Sequence, residues 1–410
     1  MSSTSSLLQQ RAPHPDDRCD VLIIGAGPAG AAAARVLARE GVDVVLADQR
    51  TFPRDKVCGD GLISDALHAL SLLGVDASVQ REAWRGSELR VYAPDGTHVS
   101  LQGEFACLPR ERLDEILLEA ALAAGARFVH GAGTSPVIDG GRVAGATVKA
   151  ADVERPIRAR VTILAAGANL TTLAAFGVPG PRKAEAVAGR AYFEAPSELA
   201  HEIEHLVIAY QREWCPGYGW IFPAPGRRFN IGVGLFGPMP ARGRLHQFFD
   251  AFCRTFPPAA RLLAAATCVR PFRGAPIRSG LGQPSFGRPG LLAVGESVAA
   301  TYSATGEGIG KAMESGILAA QMVTAALRTG RPLDGLEDAY RAEFERRFIG
   351  RYRAYRLAQR WAASPTLLNV LARRANAGKH VQEELEALVA ERGDAAKLFS
   401  TTGLLKALFR

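Results

Sequence analysis

The sequence lacks several features that would place the protein in a specialised class. No apolar run reaches the roughly 20 residues that a helix needs to cross a bilayer, and the first residues carry no apolar signal-peptide core. The six cysteines are scattered without any Cys-x-x-Cys spacing, which argues against a zinc site and against a disulfide framework. We therefore expect a cytoplasmic protein with reduced thiols and no bound metal.

Low-complexity sequence is confined to the start of the chain. Residues 1–17 are rich in Ser, Gln and Pro and have little to bury, so we expect a disordered tail there. The 410-residue chain is 48% hydrophobic and 22% charged, which is typical of a globular protein with two or three domains.

Positive charge is concentrated near the end of the chain, which has a net charge of +8. Residues 341–374 contain nine arginines against two glutamates. Aromatic residues recur there at helical spacing, namely Tyr340, Phe344, Phe348, Tyr352 and Tyr355. The pattern predicts a basic amphipathic helix, which we interpret as a packed helix with a solvated face. The alternative is peripheral contact with anionic lipid or a phosphorylated substrate, whereas nucleic acid is not expected because no binding module accompanies the charge.

A glycine-rich loop near the start predicts a dinucleotide site. A buried strand over residues 21–24 leads into Gly25-Ala-Gly-Pro-Ala-Gly30, and a helix over 29–39 and a strand over 42–47 follow. Gly25 permits the tight turn, Gly27 lets the backbone approach a pyrophosphate, and Gly30 lets helix and strand pack closely. Asp48 ends the second strand about 20 residues beyond the loop, where its carboxylate can accept hydrogen bonds from a ribose.

A second loop, Thr305-Gly-Glu-Gly-Ile309, opens a long helix that we expect to begin at Gly306 and to end near Leu327. A helix N-terminus stabilises negative charge. The two loops together therefore predict one large anionic cofactor that is held at both ends.

The order of elements predicts an α/β fold with an interrupted architecture. A doubly wound, Rossmann-like cofactor domain would be assembled from residues 18–80, 105–180 and 280–330. Within it we expect a helix over 110–124, strands over 127–130, 160–165 and 290–294, and a hairpin over 137–148. Residues 81–104 and 181–279 would form an inserted β-sheet domain for the substrate, and residues 331–410 a helical C-terminal region.

Four motifs stand in a recognisable order. The first glycine loop is followed by Lys56-Val-Cys-Gly-Asp-Gly-Leu62, by Tyr218-Gly-Trp-Ile-Phe-Pro223, and by Val294-Gly-Glu296 with the second glycine loop. In this order the chain resembles the geranylgeranyl reductase family of FAD-dependent oxidoreductases, within the p-hydroxybenzoate hydroxylase-like flavoproteins. The likeness covers residues 18 to about 325.

The resemblance implies a role for each motif. Gly25, Gly27, Gly30 and Asp48 would hold the ADP half of FAD. The other implied contacts are backbone near Cys58, Gly59 and Gly61 at the flavin, Arg110 near the pyrophosphate, Thr134 near the adenine, Gly295 and Glu296 at the ribityl chain and pyrophosphate, and Gly308 and Ile309 under the isoalloxazine. The helix beginning at Gly306 would stabilise negative charge on the reduced flavin.

Two further assignments concern the substrate. Tyr218, Trp220 and Phe222 alternate along a strand and share one face, and in the family this motif contacts an isoprenoid chain. The alternative is an aromatic core. On the next strand, Gly232 and Gly234 leave a flat face with room for a ligand. Cys58 is the candidate catalytic residue, as a proton donor or a gate, with a small buried packing residue as the alternative.

Two departures from the family pattern bear on the electron donor. Gly295-Glu296 replaces the usual Gly-Asp, a change that keeps a carboxylate. The mid-chain strand ends in Ala166-Gly167 instead of Asp-Gly, and the serine expected at Asn169-Leu170 is absent. In hydroxylase relatives that aspartate helps to bind FAD and NADPH. The candidate electron donors are therefore a ferredoxin, a separate flavin reductase and NAD(P)H.

The resemblance implies saturation of carbon–carbon double bonds in a prenyl chain or a related apolar substrate by hydride transfer from reduced FAD. The nearest alternative is a flavin monooxygenase or halogenase of an aromatic or polyketide substrate. Halogenases usually carry a paired Trp-x-Trp segment, whereas here Tyr218 precedes Trp220. A flavin-binding protein without catalysis and a membrane-associated scaffold are the remaining alternatives.

Overall fold

The alternation of buried strands and helices at the start of the chain leads to a parallel sheet. The computed structural model describes residues 18–178, 186–236, 242–281, 285–393, 395–398 and 400, so the expected tail over 1–17 lies outside the described residues. The strands are β1 Arg18–Ile24, β2 Val44–Asp48, β3 Gly61–Leu62, β4 Trp84–Tyr92, β5 His98–Cys107, β6 Arg127–His130, β7 Ala132–Asp139, β8 Arg142–Ala150, β9 Val153–Leu164, β10 Ala186–Glu194, β11 Leu206–Tyr210, β12 Tyr218–Ala224, β13 Arg228–Phe236, β14 Thr267–Ile277, β15 Gly287–Arg288 and β16 Leu291–Ala293.

Helices cover the first sheet and form the end of the chain. They are α1 Pro28–Arg39, α2 Ser64–Leu73, α3 Asp76–Glu82, α4 Arg110–Ala123, α5 Leu170–Ala175, α6 Ser197–Ala200, α7 Arg242–Thr255, α8 Pro257–Leu263, α9 Ile309–Thr329, α10 Leu336–Ala362, α11 Pro365–Ala377, α12 Lys379–Val389 and α13 Ala395–Leu398. None of the helices that the structure describes combines the length and the hydropathy of a membrane span.

The first sheet has eight strands and carries both glycine loops. Its main order is β15-β16-β9-β1-β2-β6, and the β7–β8 hairpin joins it through β9. Strand β1 pairs in parallel with β2 and with β9, so the loop that follows β1 lies at the carboxyl edge of a parallel sheet. Helices α1 and α9 cross closely, since a Cβ on Gly316 would lie 2.1 Å from the carbonyl oxygen of Ala29. This crossing brings the starts of the two helices near one another.

The second sheet also has eight strands, in the order β14-β10-β13-β12-β11-β4-β5-β3. Strands β4 and β5 lie early in the chain but join strands from residues 186–277, because β4 pairs in parallel with β11. This is the arrangement expected of an inserted β-sheet unit. The proposed residue bounds of the domains stay a prediction.

The basic stretch forms two helices rather than one. Helix α10 ends at Ala362, and the side chain of Ser364 caps α11 by accepting a hydrogen bond from the backbone N–H of Leu367. Pro365 occupies the first position of α11, where its missing N–H costs nothing. The sequence pattern had predicted a single helix because it records the spacing of aromatic residues and not the cap.

The aromatic face of α10 packs on the core. Tyr340, Phe344, Tyr352 and Tyr355 are buried, and the ring of Tyr355 stacks on Tyr302 with 4.2 Å between centroids. The hydroxyl of Tyr352 donates to the carbonyl oxygen of Ala300 at 2.6 Å. These aromatic residues therefore hold α10 against the core of the first sheet, which agrees with the interpretation of α10 as a packed helix.

Candidate functional site

One large cavity brings most of the predicted site residues together. Its volume is about 770 Å³, and residues of both sheets and of the C-terminal helices line it. The predicted residues on its wall are Gly25, Gly27, Asp48, Cys58, Gly59, Gly61, Arg110, Tyr218, Trp220, Phe222, Glu296, Gly306, Gly308 and Ile309. Gly30, Thr134 and Gly295 are not among its lining residues.

The start of α1 forms an open cradle at one end of the cavity. Gly27 is the N-cap, and no side chain caps the helix, so its first N–H groups are free to bind an anion. A Cβ on Gly27 would lie 3.6 Å from Nη2 of Arg54 and closer to nothing else. The carboxylate of Asp48 accepts hydrogen bonds from the backbone N–H groups of Ala26 and Arg50, each at 2.8 Å, and lies beside the cradle. A pyrophosphate and its ribose fit this arrangement.

Gly25 and Gly30 shape the cradle by allowing the backbone to pack closely. Gly25 has φ +103°, a conformation that L side chains rarely adopt, and a Cβ on Gly30 would lie 1.8 Å from the carbonyl oxygen of Gly25. The absence of a side chain at Gly30 therefore serves the close packing of α1 on the turn. This is the role that its spacing predicts.

Two arginines share one buried carboxylate near the cradle. Arg110 binds Asp114 through two hydrogen bonds of 2.7 and 2.9 Å, and Nη2 of Arg54 lies 3.1 Å from the same carboxylate. Burial by itself would lower the pKa of Arg110, but the charge of Asp114 outweighs it and the pKa is raised. Sequence reasoning named Arg110 and missed Arg54, which is the cation nearest Gly27. Arg54 could have been found from the sequence, because it lies two residues before the Lys-x-Cys-Gly motif.

Cys58 lies on the cavity wall, in a segment that packs flat on two aromatic rings. A Cβ on Gly59 or on Gly61 would lie 3.4 or 3.2 Å from the ring of Phe222, and the indole of Trp220 is 3.5 Å from the former. The thiol of Cys58 accepts a hydrogen bond from the backbone N–H of Asp60 at 3.4 Å. Burial raises the pKa of Cys58, so the thiol keeps its proton at neutral pH.

The ring of Trp220 fills the flat face that the sequence had suggested was open. A Cβ on Gly232 would lie 2.2 Å from the indole, so this glycine makes room for a side chain of the neighbouring strand and not for a ligand. That part of the prediction was wrong, because β12 and β13 pair with Trp220 directly opposite Gly232. Gly234 does line the cavity. The indole N–H of Trp220 donates to Oδ1 of Asn230 at 2.9 Å.

The second glycine loop forms the opposite end of the cofactor side. Helix α9 begins at Ile309 with Gly308 as its N-cap, three residues later than predicted, because residues 306–308 form an irregular stretch between a turn over 303–305 and the helix. No side chain caps this helix, so its first N–H groups are free. The hydroxyl of Tyr218 donates to the carbonyl oxygen of Thr305, which ties the aromatic strand to this loop. Burial raises the pKa of Tyr218.

At both departures from the family pattern, a side chain of this protein makes defined hydrogen bonds. Glu296 lies 3.3 Å from Nζ of Lys56 and accepts a hydrogen bond from the backbone N–H of Arg278 at 3.1 Å. It therefore links the late strand to the Lys-x-Cys-Gly segment across the cavity wall. Asn169 caps helix α5, since its side chain accepts a hydrogen bond from the N–H of Thr172 at 3.2 Å. Gly167, which has φ +62°, makes the turn before it.

Thr134 is turned away from the cavity. Its hydroxyl donates to the carbonyl oxygen of Thr147 at 3.3 Å, whereas its neighbours Gly131, Ala132 and Gly133 lie on the cavity wall. An adenine contact of Thr134 stays a prediction, and the backbone just before it is better placed to make one.

Beyond Trp220 the cavity wall becomes apolar. Strands β4, β5 and β11 form one side of it, and helices α10, α11 and α12 form the other. The residues concerned include Leu89, Val91, Val99, Leu101, Leu206, Ile208, Ala358, Trp361, Leu368, Leu371, Ala372, Val381, Leu385 and Leu388. An apolar wall with few hydrogen-bonding groups suits a hydrocarbon ligand.

Two curated proteins illustrate the similarity in sequence. The chain is 31% identical over 330 residues to a menaquinone reductase of Mycolicibacterium smegmatis, covering 75% of this chain and 77% of that protein. It is 30% identical over 329 residues to a digeranylgeranylglycerophospholipid reductase of Methanosarcina mazei, covering 77% of each. These matches confirm the resemblance that the motifs indicate.

Solved structures confirm the predicted fold class. A geranylgeranyl bacteriochlorophyll reductase-like protein from Thermoplasma acidophilum aligns over 96% of both chains with a TM-score of 0.77 at 22% identity. A flavin-dependent brominase aligns over 93% of this chain and 97% of its own with a TM-score of 0.77 at 19% identity. At these identities the likeness shows a shared fold only.

The sequence profile of the family described as FAD binding domain matches residues 18–347. This range contains both uncapped helix starts, Asp48 and the wall on which Cys58 lies. The chain therefore belongs to the FAD binding domain family, and FAD is its cofactor.

Proposed function

We propose that this protein is an FAD-dependent reductase that saturates carbon–carbon double bonds in the prenyl chain of a lipid. The observation that carries the proposal is the continuity of the cavity, which runs from the cradle at Gly27 past Cys58 to a wall of aliphatic side chains. The names of the two curated relatives refer to a menaquinone and to digeranylgeranylglycerophospholipid, and both lipids carry isoprenoid chains. A linear hydrocarbon matches the chemistry of that wall.

The residues of the chain have distinct tasks in this reaction. When bound, reduced FAD supplies a hydride for one alkene carbon. The thiol of Cys58 holds the proton that the other alkene carbon needs, and the thiolate regains a proton from water, so that two hydrogens are added per double bond. Trp220, Phe222 and the aliphatic wall align the chain and exclude water.

We assign the cofactor contacts as follows. The start of α1 and Arg54 bind the pyrophosphate, Asp48 binds the ribose, and the start of α9 stabilises negative charge on the reduced flavin. Lys56 and Glu296 face each other across the wall and bind the ribityl side. The remaining contacts are those with backbone at Cys58, Gly59, Gly61, Gly306, Gly308 and Ile309.

The identity of the electron donor is a separate proposal. Ala166 and Gly167 line the cavity at the position where hydroxylase relatives carry an aspartate, and neither residue has a carboxylate of its own. The carboxylate of Glu296 lies 3.8 Å from the place of a Cβ on Gly167, but it is paired with Lys56. We propose a protein donor such as a ferredoxin or a flavin reductase, with NAD(P)H as the competing donor. Reduction of the bound FAD by NADPH at a rate that supports turnover would decide for the nicotinamide.

We further propose that the protein works in the cytoplasm at a membrane surface. All six cysteines are free, as expected of a reducing compartment. Arg353, Arg356 and Arg360 are exposed on α10, and within the described residues none of the three has an ion-pair partner. Unpaired surface arginines are attracted to anionic lipid.

The test of the proposed function is anaerobic. The FAD-loaded protein is reduced chemically and incubated with a geranylgeranyl lipid and, separately, with a menaquinone, and the products are analysed by mass spectrometry. We expect a gain of two hydrogens per reduced bond, and none when reduced FAD is supplied without the protein. An oxygen-dependent gain of one oxygen atom, or incorporation of a halide, would replace this proposal with a monooxygenase or a halogenase.

A further inference from the structure

Asp60 is a buried acid at the centre of the cavity wall that the sequence analysis did not single out. It lies between Gly59 and Gly61, and its side chain is fully buried although the residue lines the cavity. Its φ of +65° is in the left-handed region, which is uncommon for a residue other than glycine. Such a conformation persists where the surrounding contacts hold it in place.

Three elements of the fold donate hydrogen bonds to this one carboxylate. Oδ2 accepts from the hydroxyl of Tyr192 on β10 and from Nδ2 of Asn230 on β13, the latter at 2.8 Å. Oδ1 accepts from the backbone N–H of Arg110 at the start of α4 at 3.3 Å. The carboxylate therefore joins the segment over residues 56–62 to the second sheet and to helix α4.

Asn230 extends these contacts to the two residues that matter for the reaction. Its Nδ2 also donates to the carbonyl oxygen of Cys58 at 2.8 Å, and its Oδ1 accepts from the indole N–H of Trp220 at 2.9 Å. With Asp60 accepting from the amide nitrogen, only one orientation of the Asn230 amide satisfies all three partners. The acid thus adds a charged acceptor that strengthens the orientation required by Trp220 and Cys58.

We propose that Asp60 is a positioning residue that, through Asn230, fixes the thiol of Cys58 and the ring of Trp220 relative to each other. The proposal rests on the proposed function, since it concerns the alignment of a proton-holding thiol with a substrate-facing aromatic ring. The ionised acid is the form that holds this arrangement, because only a carboxylate accepts from Tyr192, Asn230 and the Arg110 amide without a competing proton.

The charges around Asp60 make the arrangement sensitive to pH. Burial raises its pKa to about 6, although Tyr192, Asn230, Arg190 and Arg110 each act in the opposite direction. Arg190 and Arg270 lie over the ring of Tyr192, at 4.5 and 5.7 Å from its centroid. The other titratable neighbours are the thiols of Cys58 and Cys107, whose pKa values the charge of Asp60 helps to raise.

The experiment compares Asp60→Asn, Asp60→Glu and Tyr192→Phe with the wild type. Tyr302→Phe is the matched control, because the hydroxyl of Tyr302 is buried without a hydrogen-bond partner within the described residues. The readouts are the visible spectrum of bound FAD from pH 5 to 8, and the alkylation rate of Cys58 over the same range, followed by mass spectrometry in FAD-loaded and FAD-free protein.

We expect the wild-type spectrum to change with a midpoint near the pKa of Asp60. The rise of the Cys58 alkylation rate with pH, which follows the thiolate fraction, should become less steep at the same point, and Asp60→Asn should lose both features. At pH 7.5 Cys58 should be alkylated roughly tenfold faster in Asp60→Asn, the factor that one lost hydrogen bond to a charged group is worth. Tyr192→Phe should show a smaller increase, Tyr302→Phe none, and Asp60→Glu should restore the pH dependence in part.

The proposal is overturned if Asp60→Asn keeps the pH transition and the slow alkylation of Cys58, or if Tyr302→Phe changes them as much as Tyr192→Phe does. Should Asp60→Asn fail to fold, the wild-type titration and the two Tyr→Phe variants decide the matter. None of these readouts requires turnover. A protein that reduces no prenyl chain but shows the expected transitions would therefore refute the proposed function and leave the positioning role intact.

Discussion

At the scale of single residues, the chemistry of Cys58 depends on its burial. An exposed thiol near neutral pH exchanges its proton readily, whereas burial raises the pKa of Cys58 and keeps the sulfur protonated on the cavity wall. A protonated group in an apolar cavity is useful to a reaction that adds a hydride and a proton to an alkene. The same burial would serve a residue that only fills space, so substitution must separate the two roles.

Replacement of Cys58 by alanine should lower the rate of double-bond reduction by about 10² or more while leaving FAD affinity within a few-fold of wild type, because a positioned proton donor contributes at least that factor. The rate is measured by mass spectrometry and the affinity by FAD fluorescence. The matched control is Cys253→Ala, since Cys253 lies on α7 and is not among the cavity residues. Full activity in Cys58→Ala would assign the residue a packing role only.

Asp60 should make the stability of the protein depend on pH in a predictable direction. Its pKa rises from 3.8 in the unfolded chain to about 6 in the fold, so between these values the native state keeps a proton that the unfolded state has lost. The free energy of unfolding should therefore fall as pH rises from about 3 to 7, by about 3 kcal/mol in total from this group and most steeply between pH 4 and 6, and its contribution should be level above about pH 7.

Urea unfolding of the wild type and of Asp60→Asn at pH 4, 5, 6 and 7 tests this dependence. The asparagine cannot ionise, so the difference in stability between variant and wild type should shift in favour of the variant as pH rises. Equal slopes in the two proteins would mean that Asp60 does not titrate in this range. A gain in stability on removing the charge would also indicate that the acid is kept for a purpose other than folding.

At the scale of elements, the two uncapped helix starts are the features to which we assign the binding of the cofactor. The start of α1 contains two glycines with different roles. Gly30 must lack a side chain because α1 packs on the turn before it, whereas Gly27 faces only the cradle. A Cβ on Gly30 would lie 1.8 Å from a backbone oxygen, whereas a Cβ on Gly27 would meet only the flexible end of Arg54 at 3.6 Å. Substitution of the two glycines should therefore have different consequences.

Gly27→Ala should fold with a melting temperature close to wild type but bind FAD at least roughly tenfold more weakly, since the added methyl group occupies the path of a pyrophosphate. Gly30→Ala should be strongly destabilised, because backbone must move to admit the methyl group. Calorimetry gives the melting temperatures, and FAD titration of the Gly27→Ala protein gives the affinity. Unchanged FAD binding in that variant would show that the pyrophosphate lies elsewhere.

Helix α9 also carries a buried ionic cluster that holds the second glycine loop. Nζ of Lys311 lies 2.8 Å from Glu314, 3.3 Å from Asp65 and 3.5 Å from Glu391. Burial alone would lower the pKa of Lys311, but Asp65, Tyr302 and Glu314 raise it well above its usual value. Burial and the charge of Asp65 raise the pKa of Glu307 well above its usual value. The cluster ties the loop to the C-terminal helices.

At the scale of the whole molecule, the cavity exists because the C-terminal helices lie against the second sheet. The side chain of Asn376 donates to the carbonyl oxygen of His98, and Gln382 donates to that of Ser100. These contacts connect α11 and α12 to β5 and close the apolar end of the cavity. The length of hydrocarbon that the protein accepts should therefore be set by residues of these helices.

Ala372→Phe should slow the reduction of long prenyl chains about tenfold or more relative to short ones, because Ala372 is buried on the cavity wall and a ring would shorten the apolar end. FAD affinity should not change. Ala375→Phe is the matched control, since Ala375 is equally buried on the same helix but does not line the cavity. Relative rates are measured with geranyl, farnesyl and geranylgeranyl substrates, and an equal loss at all lengths would contradict the assignment.

The unpaired arginines of α10 predict salt-sensitive binding to anionic vesicles. Arg353, Arg356 and Arg360 follow one another at helical spacing, so a triple substitution by glutamine removes one continuous patch. Binding of the variant to phosphatidylglycerol vesicles should fall roughly tenfold or more at 0.1 M salt, given about 1 kcal/mol per basic residue near the surface. Co-sedimentation with the vesicles is the measurement.

The matched control replaces three other arginines of the same helix and so changes the net charge equally. These residues, Arg341, Arg346 and Arg347, are ion-paired with Glu345 and Glu343. Equal loss of vesicle binding in both triple variants would indicate a general effect of net charge. Absence of binding by the wild type would remove the membrane proposal and leave the reductase proposal untouched.

Much of the secondary structure around the first sheet is determined by the sequence alone. The βαβ unit could be predicted because strand burial, the glycine spacing and the helix that follows are local properties of some thirty residues. Strand 127–130 and the hairpin around Asp139 were predicted for the same reason. The identity of FAD as the cofactor was implied by the family resemblance, and the motifs that carry this resemblance are visible in the sequence without a structure.

Only the tertiary structure decided which residues face one another. Asp60 became the centre of the wall because β10, β13 and α4 each direct a donor at it, and no local pattern records contacts between positions that are 50 to 170 residues apart. Trp220 fills the space above Gly232 because of the register between two strands. Periodicity and turn chemistry act over a few residues, whereas burial and hydrogen bonding in a site depend on how distant segments pack.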